Sequence, residues 1–267
     1  MTNPEPPPVL LERRGPVAIV TLNRPQRMNA MGMEMSIALR EAVERLEEDP
    51  TAAAMVITGA GRGFCSGMDL TTTSTVKERI RASRYNWPRP RPELGLPTIF
   101  RNANVAIIAA INGAAAGAGM SLALAADIRI MSDQGRLMPT FLKRGIMPDM
   151  GLPHMLTKML GAQRALELLW QAEPIGPEQA LALGLVTRVV PHDRLVDEAV
   201  EMGEKLSKGP AVAMAFTKRA VYLAETGELE KDLEWNSLAQ RLCLTTEDAQ
   251  EGARAFLEKR QPVFKGR

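Results

Sequence analysis

Residues 53–70 read AAMVITGAGRGFCSGMDL, and residues 105–126 read VAIIAAINGAAAGAGMSLALAA. Each opens on a short β-branched apolar run, Ala53–Thr58 and Val105–Ile111, of the kind that forms a buried strand. Each then breaks into glycines and small residues before the start of a helix. Val17–Leu22 (VAIVTL), stopped by Asn23-Arg24-Pro25, and Ile128–Met131 add two more strands. Between the first two strands, Met31, Met35, Leu39, Ala42, Val43 and Leu46 recur at helical spacing, so a helix is expected from Asn29 to Leu46, ended by Asp49-Pro50. Strands alternating with helices, and reading as apolar throughout, imply an α/β class whose strands are covered on both faces.

Outward from this body the pattern changes. Residues 71–104 hold a Thr/Ser cluster, Tyr85, Trp87 and four prolines between 88 and 97, and read as an irregular cover. After Pro191 the chain reads as helical: 195–206, 211–226, 229–244, and a last helix to Lys259 that Thr245-x-x-Asp248 can cap. The expected organisation is a disordered, proline-rich arm over 1–14, a core over 15–200 and a helical region over 201–267. No internal repeat of fixed period is visible.

The 267 residues carry 33 Lys plus Arg against 31 Asp plus Glu, a balance of +2 with no basic stripe, so nucleic acid is not an expected partner. No apolar run approaches the roughly 18 residues of a membrane span. The N-terminus matches neither a secretory signal nor a transit peptide, and a cytoplasmic location is expected. Cys65 and Cys243 lie far apart without CxxC spacing, and His154 and His192 are the two histidines, which argues against a Cys/His zinc site.

Neither glycine-rich segment fits a nucleotide site. Gly59 and Gly61 are followed by Phe64 where a dinucleotide fingerprint needs its third glycine, and the P-loop lysine and hydroxyl are missing. Ser66 is one place out of register for a nucleophile elbow, and His154 and His192, beside Pro153 and Pro191, read as surface residues. The strand, small-residue, helix-start pattern has two readings. Two backbone N–H groups at such turns, converging on one oxygen, make an oxyanion hole. Alternatively, the small residues serve close packing of helix on strand.

Taken together, Gly61 to Leu70 and Ile111 to Leu122, some fifty residues apart, resemble the crotonase superfamily, also called enoyl-CoA hydratase/isomerase. Leu22-Asn23-Arg24-Pro25…Asn29-Ala30, Gly145-Ile146-Met147-Pro148-Asp149-Met150-Gly151, Ala180 to Val186, and Glu251-Gly252…Ala255 to Arg260 follow in the family's order, so that the resemblance covers residues 9–267. It implies a spiral of ββα units with a helical C-terminal trimerisation region, assembly as a homotrimer or a dimer of trimers, and an acyl-CoA thioester as ligand. Coenzyme A would then arrive as part of the substrate, with no metal and no redox cofactor required. Carried over by motif, the oxyanion donors are the amides of Met68 and Ala118, although the family usually has Gly at the second place. The implied CoA contacts are Arg27, Met28 and Ala30, the backbone of Ser66, Gly67, Met68, Asp69 and Leu70, and Phe256 and Lys259 on the last helix. Gly117, Ser121 and Phe141 are implied as further substrate contacts.

The resemblance also locates a departure. Family hydratases place one glutamate in the helix after the second oxyanion segment and another about twenty residues on, whereas this chain has Ser121 and Phe141 there. A phenyl ring can neither orient water nor exchange a proton, so two-glutamate hydration is not available. Asp149 stands where the family's dienoyl-CoA isomerases, a dehalogenase branch and the ring-epoxide isomerases of phenylacetate catabolism carry a catalytic aspartate. The C-terminal sequence from Thr246 to Phe264 most resembles the last group. Flanked by Met147, Pro148, Met150 and Phe141, this carboxyl is expected to be desolvated and its pKa raised, as suits a base that takes a proton and returns it. Asp69 and Asp127 are expected mainly to cap or end helices. The expected activity is acyl-CoA isomerisation, moving a double bond or opening a ring epoxide through a thioester enolate. The alternatives are an enoyl-CoA hydratase with Asp149 alone activating water, and a silent acyl-CoA binder.

Overall fold

The computed structural model describes residues 6–69, 71 and 95–267. Among the described residues nine strands form two sheets. β1 (Val9–Arg14), β2 (Val17–Leu22), β3 (Ala54–Gly59), β5 (Ala106–Ile111), β7 (Ile128–Ser132) and β9 (Arg188–Val190) build a six-stranded sheet in the order β1-β2-β3-β5-β7-β9. The hairpin β1–β2 is antiparallel and every later pairing is parallel. β4 (Gly63–Cys65), β6 (Ala114–Ala116) and β8 (Arg136–Met138) form a second, parallel sheet of three-residue strands.

The chain spirals between the sheets. β3 leads into β4, then to helix α2 (Leu96–Asn102); β5 leads into β6, then to α3 (Ala118–Ala125); β7 leads into β8, then to α4 (Leu152–Leu160). This is the expected succession of ββα units. The four strands read from sequence are present, within a residue or two at their ends.

Alternation along the large sheet sends Val20, Met55, Ile57, Ile107 and Ala109 to one face, where they meet α1 (Met33–Glu48), α2 and α3. Val17, Ile19, Val56, Ile108 and Ile130 go to the other face, under Leu195, Ala199 and Val200 of α7 (Leu195–Leu206). Each large side chain removed from water in this way contributes about 1.5–3 kcal/mol. Burial on both faces is why these strands read as apolar runs rather than as alternating ones.

Several expectations need correction. The arm expected over 1–14 is a strand from Val9 to Arg14, held by its register on β2; residues 1–5 lie outside the described residues. The first helix starts at Met33 rather than Asn29, because Pro25–Arg27 take a short 3-10 turn and Met28 and Asn29 are left-handed at φ +52° and +55°. Of the cover over 71–104, residues 72–94 lie outside the described residues and Leu96–Asn102 is helical. The boundary at 200/201 falls inside α7, which belongs to the sheet's second layer. The last helix, α10 (Glu247–Glu258), is capped by Thr246, whose Oγ1 accepts the Ala249 N–H at 3.1 Å, not by Thr245. Residues 152–182 fold as α4, α5 (Ala162–Gln171) and α6 (Pro177–Ala182).

The C-terminal helices α8 (Ala211–Ala224) and α9 (Leu229–Leu244) are joined by Phe216 and Trp235, stacked edge to face with centroids 5.9 Å apart. α8 is anchored to the body through Asp127. That carboxylate accepts the Ile107 N–H at 2.7 Å and the Tyr222 hydroxyl at 2.8 Å, and pairs with Lys218 at 2.8 Å. Lys218 also donates to the carbonyls of Phe100 and Val105. Burial lowers the pKa of this ammonium while Asp127 acts in the opposite sense. The helix-end role expected of Asp127 is therefore replaced by a link between β5 and α8.

Candidate active site

The first wall of the site is the loop after β2. Asn29 is fully buried; its amide donates to the carbonyls of Ala60 and Gly63 at 2.9 and 2.8 Å, and its oxygen accepts the Arg24 N–H. This network holds the two consecutive left-handed residues, for which Asn is well suited. Asn112 plays the matching part after β5, donating to the carbonyls of Gly59 and Gly61 and accepting the Gly59 N–H. Asn112 reads from the sequence as the break after a strand and Asn29 as the start of a helix; the carbonyls they collect lie 31 to 53 positions away and left no local signal.

Against this loop runs the segment 66–69. Ser66 N–H donates to the Met28 carbonyl, Met31 N–H to the Gly67 carbonyl, and Asp69 N–H to the Met31 carbonyl, all at 2.8–2.9 Å. Successive amides of an extended chain alternate sides, so the Met68 N–H points away from this ladder. Gly67 has φ +99°, and a Cβ there would lie 2.9 Å from the Ala116 carbonyl oxygen and 3.5 Å from the Ala118 nitrogen. Only glycine admits that conformation and that approach together. Ala118 is the first residue of α3, so its N–H belongs to the helix's first turn and has no intrahelical acceptor. Gly119 sits closer still: a Cβ on it would fall 2.1 Å from the Cys65 carbonyl oxygen. The two small-residue turns thus pack directly on each other, with Gly67 against the start of α3 at Ala118 and Gly119 against the end of β4.

Asp69 is buried and bridges the two segments. Its Oδ2 accepts from Arg24 at 3.0 Å and Arg27 at 3.2 Å, while Oδ1 accepts the N–H and hydroxyl of Thr71. The Thr71 hydroxyl, with its N–H and Arg24 beside it, lowers the Asp69 pKa to about 2 against the effect of burial. The helix that Asp69 was expected to cap falls outside the described residues; what the structure shows is the contact to Thr71, two residues on, and the two arginine pairs. Arg27 is half exposed beside Met28 and Ala30; Leu70 lies outside the described residues.

The second wall comes from α3 and the loop before α4. Ser121 is fully buried, with Oγ 3.4 Å from the Gly117 carbonyl and 3.3 Å from the Asp149 carbonyl. The Phe141 ring is buried against Gly117, where a Cβ would lie 3.8 Å from it. Asp149 follows buried Pro148 and precedes buried Met150, and its Oδ1 is shielded from solvent. Met147, by contrast, is 77% exposed and does not flank the carboxyl as expected.

Met68, Gly117, Ala118, Ser121, Phe141 and Asp149 are therefore assembled into one region, with Arg27, Met28, Ala30, Ser66, Gly67 and Asp69 alongside. Phe256 and Lys259 lie elsewhere, exposed on α10, whose described contacts are with its own tail and α9. Arg24 and Thr71 were not singled out from sequence, since their role follows from pairing with Asp69 across more than forty residues or through a side-chain turn.

A thiol nucleophile finds no support here. Cys65 is fully buried, its pKa pushed up to about 11 by burial. His154 faces Glu225 and His192 faces Ser132, at 3.5 and 3.4 Å. Among the described residues no cluster of three His, Cys, Asp or Glu could hold a metal ion, and no helix is long and apolar enough to cross a membrane.

Comparison with known proteins gives a consistent result. The family described as Enoyl-CoA hydratase/isomerase matches residues 12–267. The chain is 35% identical over 260 residues to the 1,2-epoxyphenylacetyl-CoA isomerase of Escherichia coli, covering 94% of this chain and 95% of that protein. It is 36% identical over 262 residues, 94% and 95% of the two chains, to a Rhodobacter capsulatus protein that carries an enoyl-CoA hydratase name. Among solved structures, an enoyl-CoA hydratase from a Polaromonas species superposes with a TM-score of 0.88 at 30% identity, over 96% of this chain and 99% of that one.

Proposed function

The chain belongs to the enoyl-CoA hydratase/isomerase family, and from that premise we propose that it is an acyl-CoA isomerase in which Asp149 is the acid–base group. What supports this reading is the composition of the second wall. Ser121 presents a hydroxyl directed at two carbonyls and Phe141 a phenyl ring, while the Asp149 backbone lies against the same helix and its carboxyl Oδ1 is shielded from solvent. A single carboxylate suits a reaction that removes a proton and gives it back.

In this mechanism the thioester oxygen lies between the Met68 and Ala118 amides. Asp149 takes a proton from the carbon next to the carbonyl, or from its vinylogous position. The electron pair of that C–H bond moves through the carbonyl onto oxygen, where the two N–H groups stabilise the enolate. Asp149 then returns the proton at the other carbon, so the double bond moves and nothing is consumed. With a ring-epoxide ester, the substrate named for the E. coli relative, loss of the same α proton lets the C–O bond at the adjacent ring carbon break as a carbon–carbon double bond forms, and Asp149 gives its proton to the freed oxygen, so the mass is again unchanged. One such amide typically lowers the barrier by ~3 kcal/mol. Arg27, Met28, Ala30 and the backbone of 66–70 would hold the CoA portion, with Phe256 and Lys259 reaching it in the assembled protein. The assembly proposed is a homotrimer, alone or paired, in the cytoplasm.

The decisive experiment is a mass-spectrometric screen of enoyl-CoAs and 1,2-epoxyphenylacetyl-CoA with the wild type and Asp149→Asn. Products of unchanged mass are expected, with Asp149→Asn slower by roughly 10²-fold or more and CoA-ester affinity nearly intact. The hydratase names among the relatives favour a second reading. Rapid formation of a product heavier by one water would establish it, and binding of every ester without turnover would leave a silent binder.

A further inference from the structure

We infer that Ser121 is a positioning residue for Asp149, holding the aspartate's backbone to the helix whose first turn supplies the Ala118 amide. The inference rests on the acid–base reading of Asp149 given above and adds to it how the carboxyl is held.

The loop that carries Asp149 does not adopt a relaxed conformation. Gly145, Met150 and Gly151 all have positive φ, +65°, +49° and +74°. The left-handed region is sparsely populated by residues with side chains, and Met150 persists there while almost fully buried. Something must therefore hold the chain on both sides of Asp149. On one side, the Leu152 N–H at the start of α4 donates to the Asp149 carbonyl at 3.1 Å. On the other, the Ser121 hydroxyl lies 3.3 Å from the same carbonyl. That carbonyl carbon is bonded directly to the Cα bearing the carboxyl, so two donors from two helices fix the point about which the acid pivots.

The hydroxyl is also 3.4 Å from the carbonyl of Gly117, the residue immediately before Ala118. A serine has one proton to donate, and here it is shared between the N-cap carbonyl of α3 and the Asp149 loop. Ser121 thus spans the two parts that must be in register during proton transfer, the oxyanion amide and the base. Its complete burial at a position where family hydratases carry a glutamate fits this role: the short side chain is spent on backbone, reaching a carbonyl 28 residues away. Tolerances for such geometry are about 0.5 Å, and a misplacement of 1 Å can cost ~10²-fold in rate.

The test compares Ser121→Ala and Ser121→Thr with the wild type and Asp149→Asn. It uses the ester turned over in the screen, with deuterium exchange from D2O into the acyl group as a second readout. Ser121→Ala should lose roughly tenfold in kcat with KM within about twofold and a melting temperature close to wild type, because the hydroxyl orients the base and does not bind ester. Ser121→Thr keeps the hydroxyl and should recover most of the loss in both readouts. If the added methyl lowers the melting temperature, Ser121→Cys, a weaker donor of similar volume, should fall between Ala and Ser. Wild-type kcat in Ser121→Ala while Asp149→Asn is impaired overturns the positioning role alone. Wild-type turnover in Asp149→Asn, or neither turnover nor exchange with any ester, overturns the acid–base reading and this inference with it.

Discussion

Replacing Gly119 by Ala puts one methyl group where the two glycine-rich turns meet. The added Cβ would lie 2.1 Å from the Cys65 carbonyl oxygen and 2.8 Å from the Cys65 carbonyl carbon and Cβ. Cβ atoms essentially never come within 3.0 Å of such neighbours, so the start of α3 and the end of β4 must part by at least 0.9 Å. The obstruction is backbone on a buried strand, not the flexible end of a side chain. Overpacking of this kind costs typically 1–3 kcal/mol, which for a chain of this size lowers the melting temperature by about 2–4 °C per kcal/mol. The functional loss should be larger than the stability loss. Cys65 lies three residues before Met68 and Gly119 one after Ala118, so the same displacement separates the two amides by close to 1 Å, worth ~10²-fold in kcat. Calorimetry and steady-state kinetics on the turned-over ester check both parts. Gly176→Ala, at a glycine with no atom within 4 Å of its added Cβ, is the control and should change kcat by less than about twofold. Wild-type kcat in Gly119→Ala would refute the claim that this contact sets the amide pair.

The remaining predictions concern the amide, the ion pair and the assembly. Met68→Pro deletes the N–H and Met68→Ala keeps it, so with both variants folded by circular dichroism the first should lose activity and the second retain it; equal rates would place the donor elsewhere. The Asp69 pKa is lowered in the folded state, so its contribution to stability is complete above the unfolded value near 4 and is lost as pH falls through about 2. Asp69→Asn should therefore be destabilised at pH 7 by about 1–3 kcal/mol in urea melts, with the gap to wild type closing between pH 4 and 2; a constant gap would contradict the assignment. Leu229, Leu233, Leu244, Phe256 and Leu257 are more than half exposed on α9 and α10, an apolar surface expected to be covered by neighbouring copies. Light scattering should give a trimer or hexamer at micromolar concentration, and a 29.2 kDa particle would count against it.

The sequence by itself determined the α/β class, four of the six strands of the large sheet, the C-terminal helices and the two small-residue turns. Each is written in a local pattern: a β-branched run, a 3.6-residue period, or glycines after a strand. The second sheet was not legible in the local pattern, because strands of three residues are too short to show a period, so the ββα recurrence, whose units are separated by connections of very unequal length, came from the family resemblance alone. The region containing Met68, Ala118 and Asp149 could be named from the resemblance, but its geometry could not. That Asp127 ties β5 to α8 rather than ending a helix, that Thr246 rather than its neighbour caps α10, and that Asn29 and Asn112 hold the turns by carbonyls far along the chain are decided by which backbone groups arrive nearby. The contact between Ser121 and Asp149 is of the same kind. A hydroxyl and a carbonyl 28 residues apart carry no mutual signal in the chain, since each is satisfied by any suitable partner, and only the packing of α3 against the loop before α4 makes them partners.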